Sequence, residues 1–260
     1  MDPNERSLLA AIETTASWIV NAHHVVIFTG AGISTASGIP DFRGPDGVWT
    51  RRDKGLPPPA YKVPPDQVKP NEGHMAIVEL EKLGKVQFLI SQNVDGLHVE
   101  SGFPVEKLAE LHGNKHLVRC LGCDAVFRKA KVGWNELVHG NGYRTDRERP
   151  NQPRCPECGG RLISSIVNFG DPLPEKDLEE SVRHSKQLCD LFIVLGSSLF
   201  VNPAARMVAL AKHHGAKLVI NNKGTTPYDK IADILVPNPI NDFFPPVVSR
   251  VRELLKKREP

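Results

Sequence analysis

At 260 residues, with 40% apolar and 24% charged side chains, the chain can bury a large α/β core and is too apolar for a disordered or fibrous protein. Its 33 basic against 30 acidic residues form too even a balance to demand an acidic partner, and direct nucleic-acid binding is not expected. No run approaches the roughly 18 apolar residues of a membrane span, and the opening MDPNERSLLAAIETTASW lacks the regions of a secretory leader, so the expectation is a cytoplasmic protein, or a nuclear one in a eukaryote.

Along the chain, residues 5 to 22 carry apolar positions at helical spacing, and the β-branched run His24 to Thr29 then leads into Gly30. Residues 43 to 70 are rich in Pro, Gly and charge, which predicts a functional loop or small insertion. A helix-length segment over 72 to 84 precedes a second apolar run, Val86 to Ser91, which ends at Gln92. Residues 114 to 162 hold four of the five cysteines and few apolar runs, as a small inserted metal-stapled module would. Further apolar runs at Leu191 to Leu195 and Lys217 to Ile220 flank a helix-length segment over 202 to 214. Continuous apolar strands alternating with helices predict a doubly wound α/β fold with a parallel sheet buried on both faces. In such a sheet, ligands lie beyond the carboxyl ends of the strands, which makes Gly30–Gly32, Gln92–Asp95, Gly196–Ser198 and Asn221–Asn222 spatial neighbours.

Cys120-x-x-Cys123 and Cys155-x-x-Cys158 stand 31 residues apart, and each two-residue gap lets both thiolates reach one tetrahedral ion. Four sulfur ligands leave no open position for water, so one structural zinc is expected. Gly30-Ala31-Gly32 after a strand suits a pyrophosphate approach, with Ser34 or Thr35 adding hydroxyl donors, and equally suits a tight turn without a ligand, since Thr35 stands where the third fingerprint glycine would be. Asp41, Phe42 and Arg43 add groups for ribose, nicotinamide and phosphate. Gln92, Asn93 and Asp95 offer amide and carboxylate groups for ribose hydroxyls or a carboxamide, or else form a polar turn. His112 in ELHGN has the ring of a general base or of a capping histidine. The pairs His23, His24 and His213, His214 read as solvated element ends, Arg144, Arg147, Arg149 and Arg154 as a solvated loop, and Cys189 as core.

Together, GAGISTASGIPDFRG (residues 30 to 44), QNVDGLH (92 to 98), His112-Gly113, the cysteine pairs, IVNFG (166 to 170), GSSL (196 to 199) and the Asn222 region resemble the sirtuin family of NAD-dependent protein lysine deacylases in order and spacing. The stretch GIPDFRGPDGVWT is most similar to the nuclear-type branch, while the evenly spaced cysteine pairs also suit microbial members. The resemblance implies a Rossmann-like domain over residues 1–113 and 163–260, a zinc-binding module over 114–162, and a cleft admitting an acylated lysine of a protein substrate beside NAD, which is consumed. It implies that Gly30, Ala31, Gly32, Thr35, Asp41, Phe42 and Arg43 hold the phosphates and nicotinamide ribose, and that Trp49 closes over them. Gln92, Asn93 and Asp95 would line the nicotinamide pocket, with Asn93 joining His112 in catalysis. Gly196, Ser197, Ser198, Asn222 and Ile240 would take the adenosine half, and Val167 and Phe169 the substrate backbone.

His112 would then deprotonate a ribose hydroxyl, giving nicotinamide, O-acyl-ADP-ribose and free lysine. Acetyl or longer fatty acyl groups fit this reading better than succinyl, because Val48, Trp49 and Thr50 follow Arg43 without the tyrosine and arginine of the desuccinylating branch. The competing readings are protein mono-ADP-ribosyl transfer, an NAD-sensing module without turnover, and a hydride-transfer dehydrogenase, which the departure from the glycine fingerprint disfavours.

Overall fold

The computed structural model describes residues 2–258. Pro3–Asn21 forms α1, with proline in its first turn, where the missing N–H costs nothing. It buries Ile12, Ala16, Ile19 and Val20 on one face. Strand β1 (Val25–Thr29) runs into a 3-10 turn over Ala31–Ser37. The long 43–70 segment is irregular apart from α2 (Val48–Asp53) and a 3-10 turn at Pro65–Gln67. After it come α3 (Glu72–Lys82), β2 (Phe88–Ser91), the single turn α4 (Leu97–Glu100) and β3 (Leu108–Glu110).

Three short strands, β4 (Leu117–Cys120), β5 (Val126–Arg128) and β6 (Leu162–Ser164), enclose α5 (Glu136–His139) in sequence. The chain then returns through α6 (Glu175–Arg183), β7 (Leu191–Leu195), α7 (Arg206–His213), β8 (Lys217–Asn221), β9 (Ile234–Val236) and α8 (Ile240–Lys256).

Six strands form one parallel sheet in the order β3-β2-β1-β7-β8-β9. This is the doubly wound order of a Rossmann-like fold, and the order in which strands are added reverses between β1 and β7 while all of them stay parallel. Alternate residues serve opposite faces: Ile27, Leu89 and Ile193 join the core under α1, α3 and α8, whereas Phe28, Ile90 and Val194 join the one under α6 and α7. Burial on both faces is why β1, β2 and β7 read as unbroken apolar runs.

The second sheet, β5-β4-β6, is antiparallel and packs a core of only Val118, Cys120, Trp134, Cys155 and Leu162, too small to hold a fold by burial alone. Among the described residues, no helix is long and apolar enough to cross a membrane.

The sequence reading needs correction at several places. The segment 202 to 214 is helical only from Arg206, and β2 starts at Phe88 rather than Val86. β3, β9 and α8 were not anticipated. His24 is no solvated end: its Nε2 lies 2.8 Å from Nδ1 of buried His184, whose ring stacks on Phe88 at 3.9 Å. His213 and His214 are exposed and Cys189 is buried, as expected.

Burial holds His74 and His184 down to about 4 and His98 well below the usual histidine range. These rings fold neutral. The unfolded chain takes up a proton on each near 6.5, so their contribution to stability is complete above that pH and is lost as pH falls toward 4. Burial raises Glu110 to about 7, which opposes this trend with a single proton. Urea unfolding should therefore show a lower midpoint at pH 5 than at pH 7.5; an equal or higher midpoint at pH 5 would contradict the neutral burial of these rings.

Candidate functional site

The carboxyl ends of β1 and β7 meet at the point where strand order reverses. Gly30 N donates to Leu195 O at 3.1 Å and Gly32 N to Gly196 O at 2.8 Å. A Cβ on Gly30 would stand 2.8 Å from Ser197 Cα, and one on Gly32 would stand 2.7 Å from Gly196 Cα. Gly196 itself adopts a φ of +67°, where L side chains are strained. The glycines thus let two turns touch, and that contact forms the floor of a crevice.

The QNVD run ends β2 beside this floor. Asn93 is buried, and its Nδ2 donates to Gly30 O and to Ser34 Oγ, each at 3.2 Å. The Ser34 hydroxyl in turn donates to Asp95 Oδ2 at 2.6 Å, while Asp95 Oδ1 caps Leu97 N at 2.9 Å. Gln92 Oε1 accepts from Ser197 Oγ at 2.7 Å. Ser34 is therefore the hub, and Thr35 is not: its hydroxyl is spent on Gly32 O at 2.9 Å. Asp41 is likewise engaged within its own loop, accepting from Gly44 N at 2.8 Å.

Behind these groups, Thr29 Oγ1 donates to Ser91 Oγ and lies 2.9 Å from His98 Nε2, and Asn71 Nδ2 ties α3 to Ile33 O and Ser37 Oγ, both at 2.8 Å. Sequence reasoning singled out none of Thr29, Asn71, Ser91 or His98. Thr29 and Ser91 close β1 and β2, whereas Asn71 caps α3 and His98 lies within α4, places that carry no signal of a site in the sequence.

His112 follows β3. Its Nδ1 lies 2.9 Å from Gln92 O, which can only accept, so Nδ1 carries the proton and Nε2 presents a lone pair. Burial lowers the ring's pKa, and the bond to the Gln92 carbonyl partly offsets this. The ring is thus a neutral base with its basic nitrogen fixed by the backbone.

Over the crevice, Arg43 stacks on Trp49 with its guanidinium carbon 4.2 Å from the ring centroid, and Nη1 reaches Ser198 Oγ at 3.4 Å. Trp49 lies 5.0 Å from Phe42 and 5.7 Å from Phe169 between ring centroids. Phe169 is otherwise 82% exposed. Val167 N donates to His112 O at 3.0 Å, which places the 166–170 segment beside the base. Asn222 and Ile240 lie at the far end: Asn222 Nδ2 donates to Gly224 O, and Ile240 opens α8 against the core. A guanidinium, hydroxyls, amides and a carboxylate along one crevice suit the pyrophosphate, ribose hydroxyls and carboxamide of a dinucleotide.

The four paired cysteines converge, with all Sγ atoms within 4.8 Å of one another. Sγ separations are 3.4 Å for Cys120–Cys158 and 3.7 Å for Cys123–Cys155. Thiolates about 2.3 Å from a tetrahedral zinc stand about 3.8 Å apart, so the set fits a structural zinc that joins the β4–β5 turn to the β6 approach. Stripping the metal with a chelator should remove amide-exchange protection from residues 117–128 and 162–164 while β1 and β7 keep theirs; unchanged protection in both regions would show that the module needs no metal.

A model of the Sir2 family matches residues 30–61 and 58–203. The NAD-dependent protein deacetylase SRT1 of Arabidopsis thaliana is 39% identical over 254 residues, covering 97% of this chain and 51% of that protein. The chain thus spans about half the length of this plant relative. An NAD-dependent protein deacetylase of Rhodopseudomonas palustris is 38% identical over 259 residues, covering 93% of this chain and 98% of that one. Among solved structures, a chain studied for the mechanism and regulation of Sir2 enzymes superposes with a TM-score of 0.72 at 34% identity, covering 94% of this chain and 99% of that one.

Proposed function

The chain belongs to the Sir2 family, and we propose that it is an NAD-dependent protein lysine deacylase that removes acetyl or longer fatty acyl groups from protein substrates. The observation that carries this reading is the fixed tautomer of His112, whose Nδ1 is tied to Gln92 O at the start of the Gln92–Asp95 run and whose backbone carbonyl accepts from Val167 N of the 166–170 segment. Transfer of ADP-ribose to protein is not favoured, since the relatives are named as deacetylases.

Bound NAD supplies an electrophilic ribose carbon as nicotinamide departs. The chain's own groups set the stage for that event. Arg43 and Ser198 hold the pyrophosphate between them, above a floor of Gly30, Ala31 and Gly32; Thr35 and Asp41 contribute by shaping their loops. Asn93, held by Gly30 O and Ser34, and Asp95 orient the carboxamide and ribose, and Gln92 is held toward them by Ser197. Gly196, Ser197, Asn222 and Ile240 line the adenosine end. Phe42 and Trp49 exclude water from above. The backbone of Val167 and the ring of Phe169 receive the acylated segment.

His112 Nε2 then takes the proton from a ribose hydroxyl and so makes that oxygen nucleophilic. The division into an NAD-binding part, residues 1–113 and 163–260, and a metal module, residues 114–162, belongs to the same reading; residues 1, 259 and 260 lie outside the described residues. Four cysteines gathered for a metal rather than paired as disulfides suit a reducing compartment, which supports a cytoplasmic protein.

Replacing His112→Ala should lower deacylation of an acetyl-lysine peptide by about 10²- to 10⁴-fold, the usual span of a general base, with the fold intact by circular dichroism. Because burial depresses the ring's pKa, the acid limb of wild-type kcat/KM should fall below pH 6.5. Full activity in the variant, or an acid limb above 6.5, would remove His112 from this role.

A further inference from the structure

We propose that Ser165 is a positioning residue for the base: its hydroxyl exchanges hydrogen bonds with the backbone of Asn114 and holds the His112 loop in register with the segment that receives substrate. The proposal rests on the deacylase reading and adds a residue that touches neither NAD nor substrate.

Two stretches from distant parts of the sequence lie side by side here. Asn114 N donates to Ser165 Oγ at 3.0 Å, and the same hydroxyl donates its proton to Asn114 O at 2.8 Å. Both residues are buried, Ser165 at 7% and Asn114 at 4% exposure, so water cannot substitute for either bond. On either side, Ser165 N donates to Leu117 O at 3.1 Å and Val167 N to His112 O at 3.0 Å.

Between them, Gly113 takes a φ of +77°, and a Cβ there would overlap the Ser165 carbonyl. The two backbones therefore touch, with no side chain able to intervene. Asn114 is also held from behind, its Nδ2 donating to the Glu110 carboxyl at the end of β3 at 2.8 Å. The loop carrying His112 is thus fixed on one side to the large sheet and on the other to the substrate segment.

Among the described residues the His112 ring has one hydrogen-bond tether, Nδ1 to Gln92 O, so the direction of Nε2 follows from where the backbone of residues 112–114 sits. The hydroxyl of Ser165 sets that position relative to Val167 and Phe169. Loss of this bond displaces the base from the substrate without removing either, and small displacements of reacting groups are costly.

The test uses the 260-residue, zinc-loaded chain, an acetyl-lysine peptide and NAD. It compares Ser165→Ala, Ser165→Thr and Ser165→Val for deacylation and for exchange of labelled nicotinamide into NAD. Nicotinamide leaves before the base acts, so a misplaced base slows deacylation but leaves departure and return of nicotinamide intact. Ser165→Ala removes both bonds and should lower kcat for deacylation by about five- to 100-fold, the span of two net hydrogen bonds, and raise the exchange-to-deacylation ratio by the same factor.

Ser165→Thr should restore wild-type partitioning, and Ser165→Val, of nearly the same shape, should not; comparing these two separates the hydroxyl from any packing or folding effect. Exchange and deacylation falling together, or Ser165→Val matching Ser165→Thr, would overturn the proposal. A wild-type protein that releases no nicotinamide would overturn the deacylase reading and this proposal with it, whereas wild-type turnover with an unchanged ratio in Ser165→Ala overturns the proposal alone.

Discussion

The whole cleft depends on two turns touching at the reversal point of the parallel sheet. A Cβ on Gly32 would come within 2.7 Å of Gly196, so any side chain there would force β1 and β7 apart at their carboxyl ends. That contact lets Ser197 reach Gln92 across the crevice and lets Arg43 reach Ser198. Sheet order supplies the rest: with β2 beside β1 and β3 beside β2, the QNVD run and His112 must emerge on the same edge as the glycine turns. Polar groups widely separated in sequence converge because parallel strands point the same way.

Convergence alone would leave a wet polar crevice. What makes it directional is a series of bonds that commits each group: Asn93 to Gly30 and Ser34, Ser34 to Asp95, and His112 to Gln92. The His112 bond uses a carbonyl, which has no donor, and so the tautomer follows from backbone geometry rather than from a neighbouring charge. A carboxylate in the same place would hold the ring cationic more readily; here burial keeps it neutral against the smaller opposing pull of the carbonyl. The small second sheet contributes position through β6, whose exit brings Ser165 and Val167 against the base loop. Its metal therefore acts at a distance from the chemistry.

Much of this was legible in the sequence, for identifiable reasons. Strands buried on both faces leave unbroken apolar runs, which exposed β1, β2, β7 and β8, and paired cysteines declare a metal site by spacing alone. β3 and β9 stayed hidden because three residues at a sheet edge carry no period. α8 stayed hidden because Pro245 and Pro246 lie within it and proline reads as a break. At the site, the residues with distinctive chemistry, Arg43, Asn93, Asp95 and His112, could be named in advance. The groups that orient them could not: Asn71, Ser91 and Ser165 are common polar residues whose role exists only through tertiary contact, and Ser34 could be named only as one of two hydroxyl donors, not as the group that links Asn93 to Asp95. Asp41 and Thr35 also make bonds within their own turns, to Gly44 N and to Gly32 O, which residue type alone did not reveal.

The central claim is that one crevice both activates NAD and passes its ADP-ribose to the acyl group of a lysine. The most direct measurement follows the ADP-ribose moiety of labelled NAD during turnover of an acetyl-lysine peptide. The account predicts nicotinamide, deacylated peptide and O-acetyl-ADP-ribose in equal amounts, with no label on protein. Label retained on protein, or peptide deacylated without nicotinamide release, would contradict it.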